Sequence, residues 1–230
     1  MLRGTPNRVH ERPIRLGFAT AVRTNPNARR LIAGYVAHSW ELLGMWAWIP
    51  AFLAANAVIT GTALGGAASS GAYLSALLHV TGALAASSMG TLSDRLGRRT
   101  VLVGLAALSA CLSLSLGWLV AWPAWLMLPV ALLYSASAIG DSPVLSVALT
   151  EVVEPGYLGS MLALRSLLGF GAGSISPLAF GLVLDLSNPA GALPTTWGFA
   201  FGLLGLGGLL AVACALRVRL PSAERRPAGA

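Results

Sequence analysis

Five ionisable residues lie inside stretches that are otherwise almost wholly apolar: His38, Glu41, His79, Asp141 and Arg165. A carboxyl or imidazole so placed can bind and release a proton, hold the polar part of a solute, or lock two helices by a hydrogen bond. Glu41 falls ten residues into its run, roughly 15 Å deep at the helical rise, and His38 shares its face. His79 reaches a similar depth in the next run, counted from the other side. For these three, solute or proton binding and structural hydrogen bonding both stand. Asp141 and Arg165 flank the turn "EVVEPG" (151–156) at nearly equal distance, so an antiparallel hairpin would bring them to one level and let them pair. A static pair and a gating or solute-binding pair are both open. Pro143, two residues on, removes one helical hydrogen bond and invites a bend.

The elements that must position these groups are long apolar helices. Of 230 residues, 56% are hydrophobic and 10% charged, against roughly 25% charged in a soluble domain. So few charges cannot cover a surface in water, and the partner they imply is the lipid bilayer. Six runs reach the roughly 20 residues a membrane helix needs: 31–55, 72–93, 100–120, 124–149, 157–184 and 197–216. The fold class read from this is an all-α membrane protein with six transmembrane helices. The net charge of +7 does not point to nucleic acid, because the positive residues lie outside the apolar runs with hardly any aromatics among them.

The basic residues are all arginine, and their placement sets an orientation. Seven fall in the first 30 residues, three in the second loop and four after residue 216, while the first, third and fifth loops hold none. Cytoplasmic segments retain positive charge, so both termini are expected in the cytoplasm of a cell (inner or plasma) membrane protein. The domains expected are an arginine-rich tail or linker (1–30), a six-helix transmembrane unit (31–216) and a cytoplasmic tail (217–230). Nothing resembles a cleaved signal peptide. Trp118, Trp122 and Trp125 fit an aromatic belt at the opposite face; Trp40, Trp46 and Trp48 lie deeper. Cys111 and Cys214 fall inside apolar runs and form no metal-ligand spacing. No catalytic grouping, metal site or cofactor motif is present, so the reading is not an enzyme.

One loop carries more than charge. "GTLSDRLGRRT" (90–100) places Gly90, Asp94, Arg95, Gly97, Arg98 and Arg99 between two apolar runs. Gly97 suits a tight turn, Gly90 a close helix approach, the arginines an anchor at the membrane face. Asp94 would pair with them or cap a neighbouring helix. The spacing G-x-x-x-D-R-x-G-R-R resembles the loop signature of the major facilitator superfamily, which joins the second and third helices of a six-helix half, as it does here. "GYVAHSWELLGMWAWIPAFL" (34–53) is similar to the seventh helix of bacterial members, and residues 140–181 to their tenth and eleventh. The resemblance runs over roughly 25–218.

The resemblance implies the C-terminal six-helix half of a twelve-helix carrier, a 3+3 inverted repeat whose two halves rock around a central site. It implies a small-molecule substrate, with protons as a candidate second ligand, moved without ATP. It also implies a missing N-terminal half or a second copy as partner. An inactive fragment, or a half with no transport of its own, is the rival reading. In the fifth span Gly169-x-x-x-Gly173 and Pro177 offer close packing and a flexible point; Gly198-x-x-x-Gly202 offers the same in the sixth.

Overall fold

A computed structural model describes residues 17–63 and 65–220. The first 16 residues of the expected N-terminal tail and residues 221–230 of the C-terminal tail lie outside the described residues. The described chain is helical: α1 (Phe18–Thr24), α2 (Pro26–Ile59), α3 (Ala67–Leu96), α4 (Arg98–Leu116), α5 (Ala124–Val152), α6 (Leu158–Leu186) and α7 (Gly198–Arg217), with short 3-10 turns at Gly117–Leu119 and Pro155–Tyr157. There is no strand among the described residues. The six helices α2 to α7 are long and apolar enough to cross a bilayer.

Local chemistry explains the ends. Asn25 caps α2 by accepting a hydrogen bond from the Ala28 N–H, with Pro26 at the first helical position. α2 therefore starts five residues before its apolar run and extends over 34 residues, roughly 51 Å and more than a hydrocarbon core is thick. α3 and α4 are separated by Gly97 alone, whose φ of +88° is a conformation a side chain would strain. α7 ends against arginines: Arg30 donates to the Arg217 carbonyl at 2.8 Å and Arg99 to the Leu216 carbonyl at 2.7 Å. Positive side chains complement the last, unpaired carbonyls of a helix.

Packing follows a repeated plan. α3 packs along α5 as α6 packs along α2; α4 lies against α5 as α7 lies against α2; α4 and α7 lie against each other. Each contact becomes another when α2-α3-α4 is exchanged for α5-α6-α7, the relation expected of a three-helix unit repeated in inverted order. The exchange fails once: α2 also packs on α3, whereas α5 and α6 barely meet.

The apolar core is split by depth. One cluster, away from the arginines, gathers Met45, Ile49, Phe52, Leu53, Met127, Phe180, Trp197 and Phe201. The other, at the arginine-bearing end, gathers Leu31, Ile32, Leu102, Val144, Leu149, Tyr157 and Met161. Between them lies only a small alanine cluster, Ala37, Ala106 and Ala211. Buried polar residues lie at the level of this small cluster.

Candidate functional site

That layer holds His38 and Glu41 of α2, Ser109 of α4, Asp141 of α5 and Arg165 of α6, all buried. Glycines on α6 and α7 let the helices approach there. A side chain at Gly169 would meet Tyr35 and Ser39, one at Gly173 would meet Leu43, and one at Gly208 would meet Ala110 and the Glu41 carboxyl. The expected Gly169–Gly173 contact surface is therefore real, and its partner is α2. Gly198 similarly underlies Trp118, while a side chain at Gly202 would meet open space.

Within the layer the charged groups divide into two neighbouring sets of contacts. In the first, His38 Nδ1 stands 2.8 Å from Asp141 Oδ1. That oxygen accepts no aligned hydrogen bond, and the contact is ionic only when the imidazole is protonated. One turn away, the Arg165 guanidinium carbon lies 3.7 Å from the centre of the Tyr35 ring, and the Tyr35 and His38 rings are 5.6 Å apart. A guanidinium over an aromatic face gains from the ring quadrupole, most when desolvated. Arg165 is 9% exposed and its Nε has no hydrogen-bond partner among the described residues.

The expected pairing of Asp141 with Arg165 is not formed; Asp141 takes His38 instead. The reason is topological. Equal distance from a turn brings two residues together only if the hairpin helices pack, and α5 and α6 barely touch because α2 packs against both. Tyr35 and His38, on one face of α2, stand where a direct pair would form.

The second site surrounds Glu41. Its Oε1 accepts a 2.8 Å hydrogen bond from the Ser109 hydroxyl, and its other oxygen faces Gly208. Deeper along the same seam, the Tyr134 hydroxyl donates to Ser113 Oγ at 3.1 Å and Ser113 donates to the Phe201 carbonyl at 2.9 Å. Glu41 thus points towards α4 and α7, whereas His38 points towards α5. Shared helical face at the sequence level resolves into two directions. His79 joins neither site: it lies on α3 with its ring 5.4 Å from that of Trp46.

The arginine-bearing end forms a third constellation. Arg98 donates to Gly90 O and to Ser93 Oγ, pairs with Asp94, and reaches Glu151 Oε1 at 3.3 Å. One guanidinium thereby ties the end of α3 to the end of α5. Arg99 belongs to the α7 cap, and Arg95 is exposed. Asp94 pairs with Arg98 rather than capping a helix. Gly90 does not mark a close helix approach, since a side chain there would meet nothing within 4 Å. What the loop uses at that position is the carbonyl oxygen, which Arg98 and Ser93 share. Trp118, Trp122 and Trp125 are exposed at the other end of the bundle.

Several members of these sites escaped sequence reading. Tyr35 stands one turn before His38, a spacing that announces a shared face. Ser109 and Ser113 recur at four-residue spacing in an otherwise apolar run, which marks a polar seam. Glu151 was visible only as a turn residue, because nothing local shows which loop it faces.

Among the described residues no cluster of histidine, cysteine and carboxylate side chains could hold a metal ion. No family model matches the chain. Over 150 residues it is 34% identical to monocarboxylate transporter 11 of Mus musculus, a stretch covering 64% of this chain and 32% of that protein. The chain thus matches about a third of that relative's length. Six apolar helices and this likeness together describe a multi-pass membrane protein.

Proposed function

We propose that the chain is one six-helix half of a secondary carrier of the major facilitator kind, corresponding to the C-terminal half, and that it moves a small solute by alternating access with a second six-helix unit. The observation that carries this reading is the packing plan: two three-helix units exchange their contacts around a layer of buried ionisable groups. Ionisable groups at such depth are retained where a pathway needs them. The loop at 90–99 supports it, since Arg98 and Arg99 couple the α3–α4 turn to α5 and α7.

In this reading the arginine-bearing end is cytoplasmic, both termini included, and the protein is a carrier rather than an enzyme. His38, Asp141 and Arg165 face the solute, and Glu41 is a separate proton-binding site in the α2–α4–α7 seam. The mouse relative's name speaks of monocarboxylates, and Arg165 is a buried cation with no carboxylate against it among the described residues. A small monocarboxylate is therefore the solute class to try first. The second unit is a separate N-terminal half or another copy of this chain.

Reconstitution into proteoliposomes tests the reading. Uptake of labelled pyruvate or acetate under an imposed proton gradient is measured for the chain alone and with a co-expressed six-helix partner. Gradient-dependent uptake in either preparation supports it. Failure of both to exceed empty vesicles removes transport as the function.

A further inference from the structure

His79 stands near the middle of α3, and its Nδ1 is 2.7 Å from the carbonyl oxygen of Ser75, one turn earlier. A carbonyl only accepts, so Nδ1 carries the hydrogen, and in the neutral imidazole Nε2 then carries the lone pair. No described residue engages Nε2. The imidazole is half-buried, while the Trp46 ring against it is 38% exposed. Ala76 and Ala83, about one turn to either side on α3, are exposed and too short to overhang the ring.

A bare acceptor at this depth cannot face hydrocarbon, where an unmet hydrogen bond costs several kcal/mol. The lipid-suited side of α3 lies elsewhere. Tyr73, Leu77, Val80 and Leu84 are exposed together, centred roughly 130° round the helix from His79 at 3.6 residues per turn. The α2–α3 face at Trp46 is thus distinct from the bilayer face of the same helix.

We propose that Trp46 and His79 form a solute subsite on a water-filled face of the bundle. The indole covers an apolar, flat part of the ligand, and Nε2 accepts a hydrogen bond from its hydroxyl. The tautomer fixed by Ser75 makes the site selective for a donor, because a methoxy group or a carboxylate in the same place offers no hydrogen. The subsite deepens the transport reading and rests on it only for the chain's setting in a bilayer.

The test uses the full chain in lipid nanodiscs, acylated with diethyl pyrocarbonate and read by peptide mass spectrometry. His79 is expected to react at least about tenfold faster than His38, which is sealed and paired with Asp141. Equal, slow labelling would mean that lipid or protein covers His79, and the proposal would be overturned. The probes are 4-hydroxyphenylacetate and its methyl ether, 4-methoxyphenylacetate. The first should slow His79 labelling, and the ether should need about tenfold higher concentration, the value of one hydrogen bond of ~1.4 kcal/mol. Trp46→Leu should remove the protection while His38 stays unreactive, which reports an intact fold. Equal protection by the two probes, no protection by either, or protection that survives W46L each sinks the subsite. None of these readouts needs transport, so absent uptake with protected His79 would defeat the carrier reading alone.

Discussion

His38 Nδ1 and Asp141 Oδ1 meet at 2.8 Å between α2 and α5, each residue more than nine-tenths buried. The pair fastens together the two helices that occupy equivalent places in the repeated packing plan. Removing one partner of a buried ion pair leaves the other uncompensated and costs about 3–5 kcal/mol, while removing both is far milder. His38→Gln and Asp141→Asn should each lower the thermal midpoint in detergent, and the double variant should be less destabilised than the two losses added. Strict additivity would show that the contact carries no coupling.

Arg165 and Tyr35 give a second test, because the contact uses the ring and not the phenol oxygen. Tyr35→Phe should leave stability within about 0.5 kcal/mol, whereas Tyr35→Leu removes the face beneath a desolvated cation and should cost about 2 kcal/mol. Thermal unfolding of the two variants in detergent compares them directly. Equal loss in both would place the stabilisation in the hydroxyl instead.

Six helices were legible because each apolar run is long enough to declare itself, and the turns between them carry Gly, Pro or charge. The start of α2 at Asn25-Pro26 was not read from the sequence, because Arg29 and Arg30 disguised it as tail; hydropathy marks where a helix is wetted, not where it begins. The partner of Asp141 was not legible at all. Counting residues from a turn fixes depth, and depth pointed to Arg165 without bringing in His38. Only the placement of α2 between α5 and α6 decides, and that arises from glycine surfaces at 169 and 173 acting across 130 residues of chain.

At the arginine-bearing end, Arg98 is predicted to matter more than either acid it meets. Its side chain is 10% exposed, and it joins Gly90 O, Ser93, Asp94 and Glu151. Arg98→Ala removes the donor to buried Ser93 together with the contacts to Gly90 O, Asp94 and Glu151 and should cost about 1–3 kcal/mol. Glu151→Gln removes a partly exposed partner at 3.3 Å and should cost no more than about 1 kcal/mol, with weak salt dependence. Limited proteolysis at the α3–α4 turn would read the same difference as faster cleavage in R98A. Similar loss in both variants would assign the link to the Glu151 pair.

Gly208 and Gly202 lie six residues apart on α7 and should respond oppositely to the same substitution. A methyl group at 208 would collide with Ala110 and press on the Glu41 carboxyl, whereas one at 202 would meet nothing within 4 Å. Overpacking of a close helix crossing costs about 1–3 kcal/mol, and an open helical site gains slightly from alanine's better helix propensity. Gly208→Ala should therefore lower the thermal midpoint and loosen the Glu41–Ser109 hydrogen bond, while Gly202→Ala should leave the midpoint unchanged or raise it. Ser109→Ala provides the cross-check, since its effect should shrink in the G208A background if the hydrogen bond is already disturbed there. An undiminished Ser109→Ala effect would mean that the Glu41–Ser109 hydrogen bond persists in G208A, so that α7 can shift without drawing the carboxyl away from α4.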